Sequence, residues 1–176
     1  DNEGNLILLA TNEEKDSVED CIIKVDVNTE EVSELLDLED LFSSYKQSTD
    51  HSANSKWDWM HINTLQYLKD DSVILSSRET SSIFKIKNIS TKPSLEYIIG
   101  NEDFWKDTEY TKYLYTKDGD FLTSGGQHTV TYMKDTSLEN GQYYLYMFNN
   151  NFGYSKTRKD YDWTVNEGIQ TSITKG

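Results

Sequence analysis

The feature that most constrains this chain is self-similarity at a fixed period. "NLILLAT" (5–11) leads through a polar loop to "CIIKVDVNTEEV" (21–32), and "SVILSSR" (72–78) leads through "ETS" to "SIFKIKNISTKPSLEYII" (82–99). "YYLYMFN" (143–149) opens a third copy, so the starts at 5, 72 and 143 fall 67 and 71 residues apart. A second series precedes these strands: "WDWMHINTLQYL" (57–68) and "GGQHTVTYM" (125–133), whose His61 and His128 are 67 residues apart. Two independent features on one period point to a repeated supersecondary unit that buries its apolar face only against its neighbours.

Period-two alternation and enrichment in β-branched and aromatic residues mark each segment as a strand, and "KDD", "KDGD" and "LENG" supply the turns. The unit is a His-bearing strand, a turn, a strand ending in small polar residues, and one or two more strands. That is an antiparallel blade, and blades set radially make a β-propeller with the His-bearing strands innermost. "LDLEDLFSSYK" and "NEDFWKDTEYTKYLY" carry apolar residues at three- and four-residue spacing behind acidic starts, which predicts short helical insertions between blades. The expected fold is therefore mainly β, with a first blade portion over 1–46, a second blade over 57–99 and the start of a third over 125–176. This is about two and a half blades, whereas closed propellers use about four to eight, so the chain is expected to be one fragment of a larger propeller domain. Exposed sheet edges then invite self-association into a homo-oligomer.

Composition removes several classes of function. A net charge of −14 opposes binding to a phosphate backbone, which needs clustered Lys and Arg, so no nucleic-acid partner is expected. The longest apolar runs fall well short of the roughly 20 residues of a membrane span. No signal peptide is visible, and a chain opening on Asp1 leaves export open. Cys21, alone, reads as a buried strand position. There is no Cys/His cluster at zinc spacing, and Asp58, His61 and His128 are scattered as a metal set, so neither metal nor cofactor is expected. No nucleophile elbow, Walker loop or Rossmann fingerprint occurs, and no carboxylate pair suggests a sugar hydrolase.

What remains is the histidine pair. Equivalent positions on neighbouring blades converge on the channel, where two imidazoles could bind an anion or move protons, although a strand-end histidine bonded to its own loop is the plain alternative. Arg78 closes "ILSSR" and reads either as a ligand group or as a partner of Glu79. Asn149, Asn150 and Asn151 stand at the equivalent place one blade on, where a turn is the default. Arg158 sits in a basic patch of an acidic chain. Trp57, Trp59, Trp105, Tyr154 and Trp163 read as core and blade-interface packing.

"WDWMHINTLQYLKDDSVILSSRETSSIFKI", then "YIIGNEDFW", "GGQHTVTYM" and "YMFNNN", together resemble the bacterial arylsulfate sulfotransferases, in family order from about Trp57 to Asn151. The resemblance implies a six-bladed propeller in an exported enzyme that moves a sulfuryl group from a phenolic sulfate donor to a phenolic acceptor through a sulfurylated histidine. The family's D-W-x-H-x-N places its histidine on His61 and its asparagine on Asn63. Its G-Q-H-T falls on Gln127 and His128, and its F-D-N-G reads "FNNN" here, on Asn149 and Asn150. The arginine that follows in the family has Arg158 as its nearest counterpart. The family's nucleophilic histidine lies in a later blade, and His51, upstream in a polar loop, does not replace it. By this resemblance the chain carries two sulfate-site histidines and is inactive alone. The rival expectation is a non-catalytic propeller that binds partners.

Overall fold

The repeat becomes three antiparallel sheets in the computed structural model, which describes residues 1–51, 55–134, 137–139 and 141–163. Strands β1 (Leu6–Ala10), β2 (Cys21–Val25) and β3 (Val32–Asp37) form the first sheet. The second contains β4 (Ile62–Leu68), β5 (Ser72–Ser77), β6 (Ser82–Lys87) and β7 (Ser94–Ile99), and the third β8 (His128–Met133) and β9 (Tyr144–Phe148). The repeat aligns β1, β5 and β9, so the first sheet holds the last three strands of the unit, the second all four, and the third the first two. β4 lies against β1 on one side and against β8 on the other. No sheet closes on itself among the described residues, so the architecture is mainly β and antiparallel with few helices, without a ring. Positions 164–176 of the third unit lie outside the described residues.

Strand β5 shows why the sheets stack. Every residue of "SVILSS" is buried, and successive side chains of a strand point to opposite faces. Val73 and Leu75 enter a large core shared with Ile22, Phe42, Trp59 and Phe84. Ile74, on the other face, packs with Ile83 and Val130 in a second cluster towards the third sheet. Each such aliphatic side chain stabilises the fold by about 1.5–3 kcal/mol, so β5 holds its neighbours on both sides.

The predicted insertions are helical: α1 (Glu39–Gln47), α2 (Glu102–Trp105) and a 3-10 helix (Glu109–Tyr113). Side-chain oxygens cap α2 and the 3-10 helix, Asn101 accepting from Phe104 N and Thr108 from Tyr110 N, while α1 starts at Leu38 without such a cap and the preceding Asp37 carboxylate accepts from Glu39 N. The helices fill the gap between the first two sheets. Phe42 sits 4.9 Å from Phe84 and 5.2 Å from Tyr110, and Tyr45 lies 5.4 Å from Trp105. Trp59, Trp105 and Trp163 are buried, in keeping with their reading as packing residues, and so is Cys21. Trp57 is half-buried, and Tyr154 is 41% exposed and belongs to no core. On β9, Tyr144, Tyr146 and Phe148 face solvent along a strand edge that has no partner among the described residues. Among the described residues no helix is long and apolar enough to cross a membrane.

Candidate functional site

The two histidine-bearing strands repeat a backbone device as well as a residue. On β4 the pairing with β5 slips between Ile62↔Ser77 and Thr64↔Ser76, and on β8 the pairing with β9 slips between His128↔Phe148 and Thr131↔Tyr146. Such a bulge kinks a strand and re-aims its side chains. His61 itself adopts φ +48° and Thr129 φ +57°, left-handed conformations that non-glycine residues enter only when their surroundings hold them there. The outcome is that the His61 and His128 rings stand 6.0 Å apart, centroid to centroid, and inclined by 58°.

Each imidazole is oriented through Nδ1. That of His61 lies 2.6 Å from Asp58 Oδ2 and 3.6 Å from Glu19 Oε2. The hydrogen bond to Asp58 raises the pKa of His61 above the usual histidine value, with the charges of Asp58 and Glu19 adding to it against desolvation and the opposing charge of Arg78. When protonated, the ring donates Nδ1–H to Asp58 and carries a second N–H at Nε2. His128 Nδ1 lies between the Gly126 carbonyl at 3.0 Å and the Asn150 side-chain amide at 2.9 Å, so Nε2 is again the remaining polar atom.

The loop before β8 is shaped by glycine. A Cβ on Gly125 would stand 2.6 Å from the Phe152 carbonyl oxygen, and Gly126 has φ +60°. Gly125 N donates to Asn149 Oδ1 and Gly126 N to Ser81 Oγ. Asn63 and Gln127 join the second sheet to the third. Asn63 Nδ2 donates to the Gln127 carbonyl at 2.9 Å, while fully buried Gln127 donates from Nε2 to the carbonyls of Ser77 and Ser82 at 3.1 and 2.9 Å and accepts at Oε1 from Ser124. The side-chain N–H groups of Gln127 are thus spent on protein. The serines of "ILSS" are small so that this amide can reach the backbone of β5 and β6.

Arg78 donates its main-chain N–H to the His61 carbonyl at 3.1 Å, and its guanidinium pairs with Glu79 at 2.7 Å and lies 5.2 Å from the Phe152 ring. Glu79 is buried, and its second oxygen accepts from Ser155 Oγ, Lys156 N, Thr157 N and Thr157 Oγ1. Arg158 stands apart: it makes a two-pronged pair with Asp160 at 2.8 and 3.0 Å and lies 4.8 Å over Phe104, with none of these contacts reaching the histidines. The structure therefore gathers His61, His128, Asn63, Gln127, Asn149, Asn150 and Arg78, and leaves Arg158 elsewhere. His51 is exposed, stacked 4.8 Å from Trp57 and 3.1 Å from Asp16.

Of the acids at the site, Glu79 stands beside Arg78 as the sequence alternative had it, and Asp58 acts on His61 instead of joining a metal set with both histidines. Glu19 emerges only here, since nothing distinguishes it among the 31 acidic residues. Among the described residues, Glu19, Asp58 and His61 bring ligand atoms within 4.8 Å of one another and could receive a divalent cation. That cation and the Asp58–His61 hydrogen bond would compete for the same Nδ1 atom. Beside His61 a cleft of about 390 Å³ opens between Thr11, Glu19 and Asn63.

Comparison with curated proteins gives no match. The family model described as arylsulfotransferase (ASST) matches residues 1–173, nearly the whole sequence, and the chain belongs to that family.

Proposed function

We propose that His61 and His128 form a sulfate-binding half-site of a sulfotransferase that uses aryl sulfates as donors. The 6.0 Å approach of two imidazoles, both held through Nδ1, is the observation that carries this reading. A sulfuryl group carries negative charge on its oxygens during the transfer, and N–H donors fixed in advance hold that charge without reorganising. In the first step the sulfur–oxygen bond to the donor phenol breaks as a bond from sulfur to an imidazole nitrogen forms, and the phenol departs with its electron pair. In the second step the acceptor phenol loses its O–H proton to solvent as its oxygen bonds to sulfur, the sulfur–nitrogen bond breaks with its electron pair returning to the imidazole, and the phenolate released in the first step takes up a proton. Dividing the transfer in this way replaces one difficult displacement by two easier ones.

The reacting histidine in this proposal comes from a further blade of a larger propeller, and the chain's own residues bind and orient. Asp58 aims His61 and favours its protonated form, Gly126 and Asn150 aim His128, and Arg78 adds positive charge beside His61. The test uses the polypeptide that carries these residues together with the remaining blades. With 4-nitrophenyl sulfate, release of nitrophenol should require an added phenol, and His61→Ala or His128→Ala should lower kcat/KM by about 100-fold or more. Release that does not depend on acceptor, or that survives both substitutions, would overturn the proposal and favour a non-catalytic binding module.

A further inference from the structure

A second cleft, about 470 Å³ in volume, lies between the chain leading into β4 and the chain following β9. Its walls carry Lys56, Lys156 and Lys159, a concentration of cations in a chain of net charge −14. Lys56 Nζ is anchored on the carbonyl of Lys15 at 2.6 Å. Lys156 and Lys159 are exposed, and among the described residues neither has a carboxylate within ion-pair distance. Two acids, Asp50 and Asp58, also line the cleft, so positive charge remains in excess.

The cations stand on a fixed frame. The main-chain N–H groups of Lys156 and Thr157 donate to buried Glu79, and Asp50 N donates to the Thr157 carbonyl at 2.7 Å, tying the two walls together. Tyr154 offers an exposed ring at the same place. Asp58 is shared: it lines this cleft and bonds His61 through Oδ2. A molecule seated here is one side chain away from the imidazole.

We propose that this cleft binds the acidic substituent of an aryl ligand, so that the preferred substrates are aryl sulfates carrying a second anionic group. The substrate class rests on the sulfuryl-transfer reading above; the cleft's affinity for an anionic aryl compound does not. A braced main chain confines the ordering cost to the lysine side chains when they bind a carboxylate, and an aromatic wall favours a ring between the two charges. The transferable sulfate then lies towards His61 and the second acid towards Lys156 and Lys159.

Calorimetric titration of the chain with 4-carboxyphenyl sulfate and with phenyl sulfate tests this. The carboxylated probe should bind about tenfold more tightly, as two charge-assisted contacts at a partly exposed site would give. In Lys156→Ala/Lys159→Ala that preference should fall to near one, with phenyl sulfate affinity unchanged, while Lys87→Ala, at an exposed lysine that ends β6, should keep it. No binding of the carboxylated probe, no preference in the wild-type chain, or an equal loss in Lys87→Ala would overturn the proposal. The readout is binding, so a missing nitrophenol signal in the transfer assay sinks the catalytic reading without touching this one.

Discussion

Replacing Glu79 should damage this fold more than replacing any other single acid described here. Its carboxylate is 1% exposed and accepts from Arg78 Nη1 at 2.7 Å, Ser155 Oγ at 2.8 Å, Lys156 N at 2.6 Å, and Thr157 N and Oγ1 at 3.2 Å. Glu79→Ala leaves a largely buried guanidinium without its counter-charge and orphans several donors in the chain after β9. Removing one partner of a buried, hydrogen-bonded pair costs about 3–5 kcal/mol. Glu79→Gln keeps the shape and one acceptor but turns an N–H group against existing donors, at about 2 kcal/mol. Urea unfolding followed by circular dichroism measures both; with a slope of about 2 kcal/mol per molar, a 4 kcal/mol loss lowers the midpoint by about 2 M at unchanged slope. A loss below about 1 kcal/mol for Glu79→Ala would show that water replaces these bonds freely and would refute the reasoning.

Asp58→Asn should return the His61 pKa towards the ordinary 6.5, because the bond and the charge that raise it are weakened. A raised pKa contributes stability in full below that ordinary value and loses it as pH climbs through the raised one, so the stability gap between wild type and Asp58→Asn should narrow as pH rises; an NMR titration of the imidazole that is identical in both proteins would contradict the assignment. Gly125→Ala should cost about 1–3 kcal/mol, since the new methyl group would meet the Phe152 carbonyl oxygen at 2.6 Å. A thermal melt indistinguishable from wild type would mean that this loop can shift without strain.

Much of the local structure is legible in the sequence. The strand over 72–77 announces itself by alternation and apolar content, the insertions after Leu38 and Asn101 by acidic starts and three-to-four spacing, and the recurrence of His61 and His128 by the common period. Legibility ends where a residue's role depends on a distant partner. Gln127 reads as a ligand group, yet its amide is bonded to β5 and β6. Arg158 reads as a family arginine, yet Asp160 and Phe104 hold it away from the histidines. Tyr154 reads as packing and instead lies on the surface.

By itself the sequence determined the strands, the unit and the histidine recurrence, because side-chain periodicity and turn chemistry act over a few residues and repeat wherever the unit repeats. Only the tertiary structure decided that the two rings stand 6.0 Å apart and that Glu19 joins Asp58 at His61. It likewise decided that a buried Glu79 supports Arg78 and the lysine-bearing loop. These depend on bulge position and on how one sheet lies against the next, which the packing of whole faces determines and no local pattern encodes.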